Sequence, residues 1–143
     1  MQISCVKTIV ADAIEYTSEN LFDRVLVDAP CSGLGTLSKK PDIKWKKELV
    51  DIRKVSELQF NILTQASKNV KVDGILVYST CTIEPEENYD VVKRFLDDNS
   101  NFVLEDASKF VPKAVVDSNG CVQTFPHKHK MDGAFAARLR RIS

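Results

Sequence analysis

The sequence of 143 residues is short of glycine and has no paired cysteine motif. Its five glycines never form the Gly-x-Gly-x-x-Gly or Gly-Lys-Ser/Thr signatures of nucleotide-binding loops, and Gly33-Leu34-Gly35 is only a place for a sharp backbone turn. The four cysteines contain no Cys-x-x-Cys pair, so we expect no zinc site and no thioredoxin-like motif. The chemistry must therefore be sought in other motifs.

Long apolar runs and a secretory start are also missing. No stretch of about 18 apolar residues is present, which excludes a membrane-spanning helix of the usual length. The first residues have neither a basic region nor an apolar core of a signal peptide. We therefore expect a cytoplasmic location and reduced thiols.

The chain has no excess of charge of either sign, because 20 basic residues balance 20 acidic residues. Only a local cluster can then attract a nucleic acid. Residues 39–47 hold five lysines, one aspartate and the only tryptophan. Lysines around an aromatic ring suit an RNA backbone with a stacked base, although a solvated loop with a buried tryptophan is an equally simple interpretation. The candidate RNA-binding residues are Lys39, Lys40, Lys44 and Trp45.

Apolar periodicity predicts alternating strands and helices. Val6–Val10, Arg24–Asp28 and Gly74–Ser79 are apolar runs without alternation, which indicates strands buried on both faces. Apolar residues recur every three or four positions over Lys47–Val72, which predicts a helix, and a second helix begins at Pro85. This order favours an α/β fold with a doubly wound, mostly parallel sheet. Two further strands are predicted at Phe102–Leu104 and Ala134–Leu139.

Two loops carry the candidate chemistry. Each follows a predicted buried strand and contains one cysteine, Cys31 in residues 28–36 and Cys81 in residues 78–88. In an open α/β sheet, sites form at the carboxyl ends of the strands, so we expect both thiols to face one cleft. A thiolate there is a strong nucleophile, and the helix beginning at Pro85 favours its ionisation. A single loop cysteine could equally be inert packing, whereas two at one edge favour catalysis.

Longer motifs around these cysteines resemble those of a known enzyme family. The segments Asp28-Ala29-Pro30-Cys31-Ser32-Gly33, Lys40-Pro41-Asp42-Ile43-Lys44-Trp45 and Tyr78-Ser79-Thr80-Cys81-Thr82 are similar to motifs of the RNA 5-methylcytosine methyltransferases. Glu86-Glu87-Asn88 and Asp132-Gly133-Ala134-Phe135 fit the same family. The resemblance is strongest to the Sun-type bacterial enzymes that modify 16S ribosomal RNA, and it covers nearly the whole chain.

The resemblance implies a mechanism and a role for each site residue. Cys81 would be the nucleophile that adds to C6 of an unpaired cytosine, and Cys31 would help remove the C5 proton and release the product. Asp28 would bind the cytosine edge, and Pro30 would fix the loop. Asp12 would bind the adenine amino group of the cofactor, S-adenosylmethionine. The partner would be RNA, with 16S ribosomal RNA as the substrate.

The resemblance also implies that parts of the family fold are missing. The glycine-rich cofactor loop and the first two strands of a Rossmann-like class I methyltransferase have no counterpart in this sequence. We therefore expect residues 1–143 to be the C-terminal portion of a catalytic domain, with an incomplete cofactor site and little activity alone. An unpaired sheet edge would then promote self-association, or residues 6–10 would leave their family position.

Three other functions remain open from the sequence. A transfer-RNA methyltransferase of the same family has the same loops. A non-enzymatic RNA-binding module predicts salt-sensitive binding that survives the loss of both cysteines. A redox protein predicts a disulfide between Cys31 and Cys81, which is ranked last because nothing else in the two loops serves that chemistry.

Overall fold

The computed structural model describes residues 4–37, 39 and 49–143 of the chain. Within these residues, one five-stranded sheet is flanked by helices. The predicted helix start at Pro85 is a 3₁₀ turn over Pro85–Glu87, and the helix itself begins four residues later. The elements are β1 (Phe22–Asp28), α1 (Leu49–Ser67), β2 (Val70–Thr80), α2 (Tyr89–Asp98), β3 (Phe102–Glu105), β4 (Val122–Thr124), α3 (Pro126–His129) and β5 (Ala134–Arg141).

The sheet is mixed: four of its five described strands point in one direction, as the prediction of a mostly parallel sheet requires, and β5 runs against them. β1 and β2 pair in parallel, but β5 runs antiparallel to β2 on one side and to β3 and β4 on the other. β1 to β4 thus point in one direction, as α/β alternation predicts. Because β5 returns between β2 and β3, only the β1–β2 ladder is parallel among the described strands.

The core lies where α1 and α2 cover the centre of the sheet. Over residues 74–80, β2 is buried or half-buried on both faces, as its continuous apolar run predicts, and Leu76 and Tyr78 are fully inaccessible. Leu63 of α1 and Phe95 of α2 pack into the same core. In the described part of the chain, no helix combines the length and apolar character needed to cross a membrane.

Two predicted boundaries are wrong. The first helix ends at Ser67 rather than Val72, because the chain turns at Asn69 and β2 begins at Val70. Asp73 then adopts a left-handed conformation with φ of 63° inside β2, where the β1–β2 register shifts. The Asp73-Gly74 pair therefore forms an irregularity within a strand and not the turn that leads into it.

The predicted strand at Val6–Val10 is also wrong. Residues 4–10 have no regular structure, and no described strand pairs with them. Val6 and Val10 are exposed, at 63% and 105% of their reference areas. A β-branched run has a preference for extended backbone, but it becomes a strand only where a partner edge satisfies its hydrogen bonds.

Candidate active site

The two parallel strands bring the cysteine loops together. Asp28, the last residue of β1, lies opposite Ser79 of β2, and the Ala29 N–H donates to the Ser79 carbonyl at 2.9 Å. The loops that follow therefore start side by side. As a result, Cys31 Sγ lies 2.9 Å from Cys81 Sγ, although 50 residues separate them in sequence.

The two thiols have different surroundings. Cys81 is exposed, whereas Cys31 is half-buried and its sulfur accepts a hydrogen bond from the Cys81 N–H at 3.3 Å. Burial first, and then the hydrogen bond with Cys81, raises the pKa of the Cys31 thiol to about 11. Cys31 is therefore neutral near pH 7. The exposed thiol is accessible for attack, and its half-buried neighbour lies within hydrogen-bond distance of it.

The remaining cysteines are not part of this pair. Cys121 is fully buried, and burial together with the charge of Asp117 raises its pKa to about 12. A thiol of this kind is inert packing. Cys5 is exposed on the N-terminal segment.

Two glycines allow the cysteine loops to approach each other closely. Gly33 has φ of 76°, which lets the chain turn after Cys31. The Gly35 N–H donates to the Cys81 carbonyl at 3.0 Å, and the Gly35 carbonyl accepts from the Gly133 N–H at 2.8 Å. A Cβ at position 35 would lie 2.0 Å from the Gly133 oxygen, so only glycine fits there. The backbone of three loops thus meets at Gly35.

A buried hydroxyl pair joins the same loops and was not predicted. Ser32 and Thr82 each follow one of the cysteines, and their hydroxyl oxygens lie 2.9 Å apart. Both side chains are buried. The only signal in the sequence is the small hydroxyl residue directly after each cysteine. It predicts a hydrogen bond between the two side chains only when the two loops are known to be in contact.

Asp28 and Pro30, which are both predicted site residues, lie in the first cysteine loop. Asp28 is exposed, and its Oδ1 accepts a hydrogen bond from the Ser79 hydroxyl at 3.1 Å. The Pro30 carbonyl accepts from the Gln59 side chain at 2.8 Å. The Asp28 carboxylate is thus held at the end of β1 beside the cysteine loops, while Pro30 is anchored to α1.

Asp12 lies on the irregular N-terminal segment. Its Oδ1 accepts from the Ile14 N–H at 2.9 Å, which forms a local turn. Its neighbours Ala11 and Ala13 line an open groove of about 460 Å³ along β1. Asp28 lines the same groove, whereas Asp12 itself does not line it.

The predicted basic loop is only partly within the described residues. Lys40, Lys44 and Trp45 lie outside them. Lys39 is exposed, and its ammonium group is 2.5 Å from Asp132 Oδ2. This ion pair places the Lys39 side chain beside Gly133, whose backbone contacts the Gly35 loop. One predicted RNA-binding lysine is therefore near the cysteine site.

Solved structures with a similar fold define the class of protein. The chain superposes on PH0851 with a TM-score of 0.84 and 33% identity, over 97% of this chain and 32% of that one. NSun6 from Pyrococcus horikoshii, solved with SFG, gives a TM-score of 0.84 and 31% identity, over 98% of this chain and 35% of that one. The fold and the similar proteins are those of methyltransferases.

Sequence comparison defines the family. The family model described as "16S rRNA methyltransferase RsmB/F" matches residues 1–140, so the chain belongs to this family. The ribosomal RNA small subunit methyltransferase B of Shewanella oneidensis is 42% identical over 122 residues. The protein of the same name from Enterobacter is 39% identical over 125 residues. These matches cover 85% and 87% of this chain, which spans 28% of the length of each relative.

Proposed function

We propose that this chain carries the catalytic cysteines of an S-adenosylmethionine-dependent 16S ribosomal RNA (cytosine-C5) methyltransferase, as the C-terminal portion of its catalytic domain. The observation that carries the proposal is the contact between exposed Cys81 and half-buried Cys31, with 2.9 Å between their sulfur atoms. A pyrimidine ring needs a nucleophile at C6 before C5 can accept a methyl group, and a second group must then remove the C5 proton. The pair supplies both groups.

Cys81 attacks as a thiolate, forming an S–C6 bond and making C5 electron-rich. S-adenosylmethionine, when bound, supplies an electrophilic methyl group. Burial is the main cause of the high pKa of Cys31, and the negative charge of Cys81 is a lesser one, so formation of the S–C6 bond removes part of what opposes ionisation of Cys31. Cys31, having lost its proton to solvent, accepts the C5 proton. The C5–H electrons re-form the ring double bond, the S–C6 bond breaks, and the Cys81 thiolate returns.

The acidic residues near the pair suit the other two partners of the reaction. Asp28, held by the Ser79 hydroxyl, is an acceptor for the amino group on the cytosine edge. Asp12 would accept a hydrogen bond from the adenine amino group, beside the apolar walls that Ile9 and Leu26 give to the groove. SFG, an analogue of S-adenosylmethionine, accompanies the similar NSun6 structure and supports this choice of cofactor. Lys39 would contact the RNA backbone.

Single-cysteine variants test the roles of the pair. We expect little methyl transfer from this chain alone, because its sequence has no glycine-rich loop for the methionine end of the cofactor. The variants are therefore placed in a methylation-competent protein that contains this chain, and covalent RNA adducts are measured on denaturing gels. Cys81→Ala should form no adduct, whereas Cys31→Ala should accumulate one because release fails. Exposed Cys5→Ala serves as the control and should behave like the wild type.

The reverse pattern, with an adduct in Cys81→Ala and none in Cys31→Ala, would exchange the two roles. RNA binding that persists in the double variant while no methylation is found in the wild type would support a non-enzymatic module. The same assay with 16S and transfer RNA transcripts tests the substrate. The names of the curated relatives favour 16S ribosomal RNA.

A further inference from the structure

A buried carboxylate outside the predicted site joins the two cysteine loops. Glu87 ends the 3₁₀ turn within the Cys81 loop, and its side chain is completely buried. Its Oε2 accepts the Ser32 N–H at 2.8 Å and the side-chain amide of Gln59 at 3.0 Å. A group on the second loop thus binds the backbone of the first loop directly.

Gln59 extends this contact to the other side of Cys31. The same amide nitrogen that donates to Glu87 also donates to the Pro30 carbonyl at 2.8 Å. The peptide groups before and after Cys31 are therefore both held, one by Gln59 and one by Glu87. Two fixed peptide groups determine where the side chain between them points.

Glu87 is itself fixed by the core of the sheet. The Tyr78 hydroxyl of β2 donates to the Glu87 carbonyl at 2.6 Å. Burial, with the charges of Glu87 and Cys31 as lesser causes, raises the pKa of Tyr78 far above its usual range, so the hydroxyl remains a donor. Displacement of Glu87 would break this bond as well.

If the buried Glu87–Gln59 pair served only to fill space in the core, it would lower the stability of the fold. Within the described residues, Glu87 Oε1 and Gln59 Oε1 are both buried and have no hydrogen-bond partner. Each buried acceptor without a partner lowers stability, a cost that an apolar pair of similar volume would avoid. The polar pair is instead explained by the directional bonds that it makes to the Cys31 loop.

We infer that Glu87 is a positioning residue, which sets the separation between the Cys31 and Cys81 thiols through Ser32 and Gln59. The inference rests on the proposed function, because it gives this separation a role in catalysis. The separation itself can be measured without RNA or cofactor. Failure of the methylation experiment would therefore leave this test unaffected, and the reverse also holds.

The test is the thiol–disulfide equilibrium of Cys31 and Cys81 with glutathione in the full chain. Oxidised glutathione takes two electrons and two protons from the two thiols, which gives one internal disulfide and two molecules of reduced glutathione. The equilibrium constant reports the effective concentration of one thiol at the other. The chain carries Cys5→Ser, because Cys5 is exposed and would form mixed disulfides.

Glu87→Leu removes the acceptor, and we expect the equilibrium constant for disulfide formation to fall about tenfold or more. Glu87→Gln retains an acceptor oxygen for the Ser32 N–H, and we expect it to stay within about threefold of the parent. Val92→Ala, in the fully buried core of α2, is the control for lost stability alone and should leave the constant unchanged. An unchanged equilibrium constant for disulfide formation in Glu87→Leu would overturn the inference. An equal fall of that constant in Val92→Ala would overturn it as well.

Gln59→Met provides a second variant if Glu87→Leu does not fold. It removes the donor to the Pro30 carbonyl while keeping a side chain of similar length. We expect a fall in the same equilibrium constant, and an unchanged constant would contradict the positioning role.

Discussion

At the scale of single residues, the site depends on how closely three backbones approach at Gly35. The nearest atoms to a Cβ at this position are the oxygen and carbon of Gly133 and the Cys81 carbonyl oxygen, at 2.0, 2.6 and 2.7 Å. All three are backbone atoms, which cannot rotate away as a flexible side chain would. The cysteine loop would have to move as a unit, and the bonds of Gly35 to Cys81 and Gly133 would be lost with it.

Gly35→Ala should therefore reduce the free energy of unfolding by about 2–4 kcal/mol, measured by urea denaturation. Gly120→Ala is the matched control. Gly120 has a positive φ of 83°, unlike Gly35, and its Cβ would meet nothing closer than 3.4 Å, so at Gly120 only the backbone strain of about 1–2 kcal/mol applies. Equal losses in the two variants would show that the close approach at Gly35 does not matter.

The residues of the site were predicted unevenly, for a physical reason. Cys31 and Cys81 follow strong strand signals, and parallel strands place their carboxyl ends together, so their contact could be predicted from local patterns. The Ser32–Thr82 pair and the Glu87–Gln59 pair could not. Each pair depends on side chains of distant segments that meet only in the folded chain. In addition, the local sequence around a glutamate after Pro85 is the same whether its side chain caps a helix or is buried in the core.

At the scale of elements, central and peripheral strands differ in how well the sequence predicts them. β2 was recognised because burial on both faces leaves a continuous apolar run. β4, with three residues, has no such run, and it exists because Thr124 and Val122 pair with β5. The antiparallel direction of β5 was also missed, since the direction of a strand depends on the connection that precedes it and not on its own residues.

Ion pairs between β5 and β3 make the free energy of unfolding depend on pH. Glu105 of β3 receives the guanidinium groups of Arg138 at 2.6 Å and Arg140 at 2.7 Å, and its side chain is 19% exposed. Burial raises the pKa of Glu105, but the two arginines outweigh burial and leave it below its usual value of 4.5.

Because the pKa of Glu105 is lower in the folded chain, its contribution to stability is complete above about pH 4.5. The contribution is lost as the pH falls through the lower folded value. Glu105→Gln should reduce the free energy of unfolding by about 1 kcal/mol at pH 7 and by progressively less towards pH 3, as measured by thermal unfolding. Exposed Glu19→Gln is the control and should change little. A loss that stays constant between pH 7 and pH 3 would contradict the role of the charge.

At the scale of the whole molecule, β1 forms one edge of the described sheet and β3 lies at the opposite edge. Among the described strands, β1 pairs only with β2, so no described strand covers its other edge. Leu26 on this strand is 66% exposed, and Phe22 is 42% exposed. The groove of about 460 Å³ lies along the same edge. An apolar, unpaired edge of this kind is a template for pairing with another chain.

We therefore expect the chain alone to self-associate through β1, and sedimentation velocity over a range of concentrations measures this. Leu26→Lys places a charge on the edge at an already exposed position, so it should shift the chain towards the monomer with little loss of stability. Val103→Lys is the matched control, because Val103 is a 39% exposed apolar residue on β3, away from β1 in the sheet. A monomer at all concentrations in the parent chain would refute the expectation. An equal shift in both variants would mean that added charge, and not the β1 edge, controls association.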